Sequence, residues 1–192
     1  MKIITTLFST LITFYASAQE LPYREIPAAP ANYTAGGIAS RLVDGLGFRF
    51  YWATEGLRAE DLAFKPGPNT RTSEETIAHI YGMSFLILNA TKKTANVSGQ
   101  DIKLPFAEMR KKTLENLNEA SAHLRKATDQ ELLEFEAIFS RGNNTVKYPF
   151  WNMVNGPIAD CLWHVGQVVT FRRSSGNPFS EKVSVFNGTV SK

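Results

Sequence analysis

The chain has 192 residues, 43% of them hydrophobic and 20% charged, a globular balance that excludes wholesale disorder and suits one domain with a substantial core. Its 21 basic and 18 acidic side chains leave a formal charge of +3 with no concentrated Lys/Arg run, so neither nucleic acid nor an anionic membrane surface is expected as a partner. The single cysteine, Cys161, excludes an intrachain disulfide and any cysteine-built metal cluster.

Lys2 is followed by an apolar stretch from Ile3 to Tyr15 and then by the small residues Ala16-Ser17-Ala18. This order matches a secretory signal peptide over residues 1–18, cleaved before Gln19, and predicts a secreted or periplasmic protein. The stretch is short for a membrane span and ends in an A-x-A site, so no span is expected after processing. Residues 19–33, with Pro22, Pro27 and Pro30, predict an extended lead-in to a helical domain over residues 34–179.

Thr34 can cap a first helix in which Ile38, Leu42, Leu46, Phe50, Ala53 and Leu57 recur at spacings of three and four. Glycines 36, 37, 45 and 47 each cost this helix up to about 1 kcal/mol relative to alanine, so tertiary packing must hold it. Lys65-Pro66-Gly67-Pro68 is a break. Thr72 and Glu75 have capping-box spacing at the head of a second helix, whose run from Ile77 to Leu88 is apolar nearly all round and therefore predicted central. A third helix is expected from Pro105 to Lys126, with Leu114, Leu117 and Leu124 on one stripe. Alternation over 134–139, a Gly142-Asn143-Asn144 turn and Thr145–Phe150 predict a short hairpin. A fourth helix starts near Asn155-Gly156-Pro157 and stops at Ser174-Ser175-Gly176-Asn177-Pro178. Residues 180–192 read as an extended or loose tail. The expected fold is all-α, an up-down four-helix bundle with a hairpin-like insertion between the third and fourth helices.

At 100° per residue Asp160, His164, Gln167 and Phe171 share one stripe of the fourth helix, apart from an apolar face of Leu162, Val165 and Val169. Asp160 and His164 are four apart, the spacing that lets two ligands on one helix reach a common metal. His79 sits among Ile77, Ile80, Met83 and Leu86, and an imidazole buried there needs a partner. If the second and fourth helices face each other, His79, Asp160 and His164 form a two-histidine, one-carboxylate metal site with coordination positions left for water or substrate. Spacing alone also fits the blander alternative, a hydrogen-bonded core histidine beside an i, i+4 pair.

Gln167 can hold a ligand or join two helices, and Glu75 can support His79 or serve only its cap. Tyr51, Trp52 and Trp163 can line a pocket or fill the core. His123 is expected to be solvated, and the Arg172-Arg173 helix end can steer an anionic substrate or lie in solvent where it complements the helix dipole. Cys161 has no base beside it and reads as packing, not as a nucleophile.

The segment Thr76-Ile77-Ala78-His79-Ile80-Tyr81-Gly82, the run Asp160-Cys161-Leu162-Trp163-His164-Val165-Gly166-Gln167 and the helix ending Arg172-Arg173-Ser174-Ser175-Gly176-Asn177-Pro178 resemble the DinB-like superfamily. The resemblance covers roughly residues 34–178. It implies a four-helix bundle, often a homodimer, with one divalent metal per chain, usually zinc or nickel, held by three histidines. It also implies a small-molecule substrate, since characterised relatives include thiol-dependent transferases and isomerases. The sequence departs from that pattern at Asp160, where the family usually has histidine. A carboxylate there suits iron(II) or manganese as well, or marks a site that has lost its metal. Three readings follow: a metal-dependent hydrolase or thiol-dependent transferase, a non-catalytic metal- or small-ligand-binding bundle, and a purely structural bundle. Export counts against thiol transfer, because low-molecular-weight thiol cofactors are chiefly cytosolic.

Overall fold

A computed structural model describes residues 20–97 and 104–191, so the expected signal peptide at 1–18 lies outside the described residues. The described chain is mostly helical with two small sheets, in the order α1 (Ala35–Thr54), α2 (Ala59–Ala63), α3 (Ser73–Lys92), β1 (Ala95–Val97), α4 (Phe106–Lys126), α5 (Asp129–Leu133), β2 (Glu136–Arg141), β3 (Asn144–Pro149), α6 (Trp151–Met153), α7 (Ala159–Ser174), β4 (Val183–Ser184) and β5 (Thr189–Val190). Among the four long helices, α1 and α3 each pack against both α4 and α7. None of the described helices is long and apolar enough to cross a membrane.

Helix α1 starts where its cap predicts, with Gly37 N–H donating to Thr34 Oγ1 at 3.0 Å. It ends three residues before Leu57, and Gly56 turns the chain at φ +66°. Its core face is rotated from the expected stripe. Val43, Leu46, Phe50 and Ala53 are buried, whereas Ile38 and Leu42 are 54% and 39% exposed. The rotation follows from Gly36, where an added Cβ would overlap the carbonyl of Leu124. Close backbone approach to α4 is the physical reason for a glycine there.

Thr72 and Glu75 form the reciprocal capping box of α3, with Glu75 N–H donating to Thr72 Oγ1 at 3.1 Å and Thr72 N–H to Glu75 Oε2 at 2.8 Å. Ile77, Ile80, Ile87 and Leu88 are buried in the core, as are Leu114, Leu117 and Leu124 of α4. Helix α3 nevertheless has an exposed edge at Ala78 and Gly82, so it is not apolar all round in its surroundings.

The hairpin stands between α4 and α7 as expected, with Glu136 opposite Pro149 and Arg141 opposite Asn144. Two features were not legible in the alternation: β1 pairs with β2 in parallel, and the strands are shifted toward the turn at Gly142. The last long helix is entered through α6 and a π-type turn over Val154–Ile158, in which Gly156 leaves helical geometry (φ −91°, ψ −110°) ahead of Pro157. It stops as predicted at Gly176, φ +79°. The tail is not loose: β4 and β5 pair, and Ile26 N–H of the lead-in donates to the Gly188 carbonyl at 2.9 Å. A Cβ on Gly188 would overlap Ile26, so the lead-in and the tail are stitched at a glycine.

Candidate metal centre

His79 projects from α3, and Asp160 and His164 project from α7 one turn apart. Packing of these two helices brings one ligand atom from each residue within 4.8 Å of the others. His79 Nε2 lies 3.1 Å from Asp160 Oδ2, and His164 Nε2 lies 3.5 Å from Asp160 Oδ1. The two imidazoles stand edge to face, with centroids 4.7 Å apart and planes at 85°. The carboxylate is thus shared, one oxygen toward each ring.

Gln167 fixes one half of this arrangement. Its Oε1 accepts from His164 Nδ1–H at 2.8 Å, which leaves the lone pair of that imidazole on Nε2, the nitrogen facing the cluster. The side chains of His79, Asp160 and His164 are 26%, 40% and 14% exposed. That is enough shelter to orient them while each still reaches solvent.

The donor set fits a divalent cation. Two imidazole nitrogens and one carboxylate oxygen suit zinc, nickel, iron(II) or manganese, and three protein ligands leave coordination positions open. Among the described residues no fourth histidine, cysteine or carboxylate joins the group.

The other sequence candidates divide. Gln167 belongs to the centre. The Glu75 carboxylate is committed to the α3 cap, whose backbone N–H holds it below the usual carboxylate range. Tyr51 is core, lying beside Trp52 and beneath the Arg110 guanidinium, which sits 4.6 Å from its ring centroid. Trp163 is 74% exposed and packs in neither core nor centre. Phe171, on the Asp160 stripe, continues it into the core against Phe64. Cys161 is buried as packing. Burial, with the Asp160 charge beside it, pushes its thiol up to about 12, so it stays protonated at neutral pH.

Two expectations are corrected. His123 is half-buried, with Nδ1 2.9 Å from Thr91 Oγ1, rather than solvated. Arg172 is buried, and its Nη1 donates to the carbonyls of Trp52, Ala53 and Glu55 at 2.9, 3.1 and 3.0 Å. These are groups that the end of α1 would otherwise leave unpaired, which is why a charge is tolerated there. A third group was missed altogether. Asp61 is fully buried and accepts from Arg58, Ser175 and Asn177, tying α2 to the end of α7. The only sequence trace of it is the polar run after Arg172.

No protein-family model matches this chain, and no curated protein matches it.

Proposed function

We propose that this chain is an exported, DinB-like up-down bundle in which His79, Asp160 and His164 hold one divalent cation, and that it is a metal-dependent hydrolase. The observation that supports this most is the meeting of three ligand atoms within 4.8 Å from two helices, on side chains that are only partly buried. A cation held there would supply Lewis acidity and lower the pKa of a coordinated water or thiol toward neutrality. The protein's part is positioning. Gln167 holds His164 in the tautomer that ligates, the carboxylate of Asp160 keeps one oxygen toward each imidazole, and the partial burial of all three limits their freedom. Hydrolysis is preferred to thiol transfer because the residues before Gln19 have the order of an export signal.

A second reading is favoured by one observation. No further acid or base among the described residues joins the three ligands, so the bundle could hold a metal or small ligand without turning it over.

Elemental analysis of protein purified without chelators tests the centre: about one cation per chain is expected, lost in His164→Ala and Asp160→Ala. Metal content unchanged by both substitutions would reduce the protein to a structural bundle. Turnover of an ester, amide and thiol-conjugation panel then separates enzyme from binding module. Hydrolysis abolished together with the metal supports the first, and full metal loading with no turnover supports the second.

A further inference from the structure

The face of α7 opposite the candidate metal centre lines a groove. Asp160, His164 and Gln167 lie on one side of that helix, while Leu162, Val165 and Val169 lie about half a turn away and face α1. Between the two helices runs a groove of 660 Å³, within the range of about 300–1,000 Å³ typical of small-molecule pockets. Leu42 and Trp52 of α1, Leu162 and Val169 of α7, and Phe179 and Val185 of the tail line it.

Three arginines, Arg41, Arg49 and Arg173, line the same groove, and no Asp or Glu does. Among the described residues none of the three forms an ion pair. Arg41 Nη1 donates to the Pro27 carbonyl at 2.9 Å, Arg49 Nη1 donates to the Gly45 carbonyl at 3.0 Å, and Arg173 lies over the Phe179 ring at 5.8 Å. Each guanidinium has five N–H donors, so those contacts leave most of its donors free for an anion. A two-fold copy of the chain would set this cluster against itself, and juxtaposed like charges are costly. Apolar walls with an all-cationic rim instead match one occupant, a single-chain amphiphile with an anionic head.

We propose that the α1–α7 groove binds a fatty-acid-like ligand, its chain between Leu42, Leu162 and Val169 and its carboxylate or phosphate head at Arg49 and Arg173. The site is separate from the metal centre and does not depend on it.

Isothermal titration of the mature protein with decanoate and decyl phosphate, both below their micelle concentrations, and with decanol tests this. Saturable 1:1 binding of at least one anion, ten-fold or more tighter than decanol, is expected; preference between the two identifies the head group. Arg49→Gln with Arg173→Gln should weaken anion binding at least ten-fold and leave decanol unaffected, while the thermal midpoint and metal content stay as in the parent. Binding that is equally strong in His164→Ala keeps the groove independent of the proposed metal chemistry. Absence of saturable binding, or equal affinity for decanol and the anions, overturns the proposal. So does a dimer in solution that Leu42→Glu dissociates, since a second copy would then cover the groove.

Discussion

His79 on α3 and Asp160 on α7 are 81 positions apart in the chain, yet Nε2 of one lies 3.1 Å from Oδ2 of the other. The second oxygen of the same carboxylate faces His164 at 3.5 Å, so Asp160 is the hinge of the cluster. Its chemistry should decide which cation is held. Replacing it by imidazole gives an all-nitrogen set, which favours zinc and nickel over manganese and iron(II). Asp160→His is expected to retain more zinc and nickel, relative to manganese and iron, than the parent after exposure to equal concentrations of all four. Elemental analysis reads the ratio. An unchanged ratio would mean that Asp160 does not ligate.

Gln167 acts through His164 and touches no cation. Removing its acceptor lets the imidazole rotate and exchange tautomers, and losses of about 10–100-fold in metal affinity are usual for such supporting partners. Gln167→Ala should weaken binding by that order in a competition titration, whereas Gln167→Glu, which keeps an acceptor oxygen, should restore most of it. A merely structural contribution would lower the thermal midpoint of Gln167→Ala and leave affinity intact.

The positions of these residues explain how much could be read beforehand. Asp160 and His164 are adjacent by helical period, so their pairing follows from local geometry, and the isolated imidazole of His79 signals a need for a partner. The caps at Thr34 and Thr72 and the stop at Gly176 were legible for the same reason, since each depends on residues within one turn. What failed was non-local. Nothing in the periodicity of α1 shows that Leu42 faces a groove or that Ile38 is exposed, because the rotation of that helix is set by the approach of α4 at Gly36. Nor could the charge of Arg172 be placed in the interior without knowing that α1 ends opposite it.

That approach makes two glycines behave oppositely. An alanine Cβ at Gly36 would overlap the Leu124 carbonyl and lie 3.0 Å from that of Ala127, both backbone atoms that cannot yield without moving α4. Gly82 sits in α3 with nothing within 4 Å of such a Cβ. Gly82→Ala should therefore stabilise by up to about 1 kcal/mol through helix propensity. Gly36→Ala should destabilise by about 1–3 kcal/mol despite the same propensity gain. Urea unfolding of both variants checks the contrast, and equal effects would remove the close-approach explanation.

Cys161 should be chemically silent in the folded state. Its side chain is buried and its thiol is held at about 12, so almost no thiolate exists at pH 8. A thiol-specific colorimetric reagent is expected to label less than a tenth of the native protein in the time that labels all of it in denaturant. Fast native labelling would show that the segment around Asp160 opens to solvent.

Asp61 should set the acid limb of stability. Arg58 donates to it through its backbone N–H, Nε and Nη2 at 2.8, 2.9 and 2.9 Å, and Ser175 and Asn177 add bonds of 2.6 Å each. The Arg58 guanidinium, foremost among these donors, holds the carboxyl far below the usual carboxylate range. A group whose folded pKa is depressed contributes its full stabilisation above the unfolded value of about 3.9 and loses it as the pH falls toward the folded one. Asp61→Asn removes the charge and turns an amide NH₂ toward donors, at a cost of about 1–3 kcal/mol at pH 7. Because the variant carries no proton-linked term at this position, its deficit should be constant from pH 7 to about pH 4 and then narrow steadily as the wild type is acidified. Thermal midpoints of the two proteins across pH 7 to 2 measure that gap. If it stays the same throughout, the buried carboxylate does not control acid unfolding.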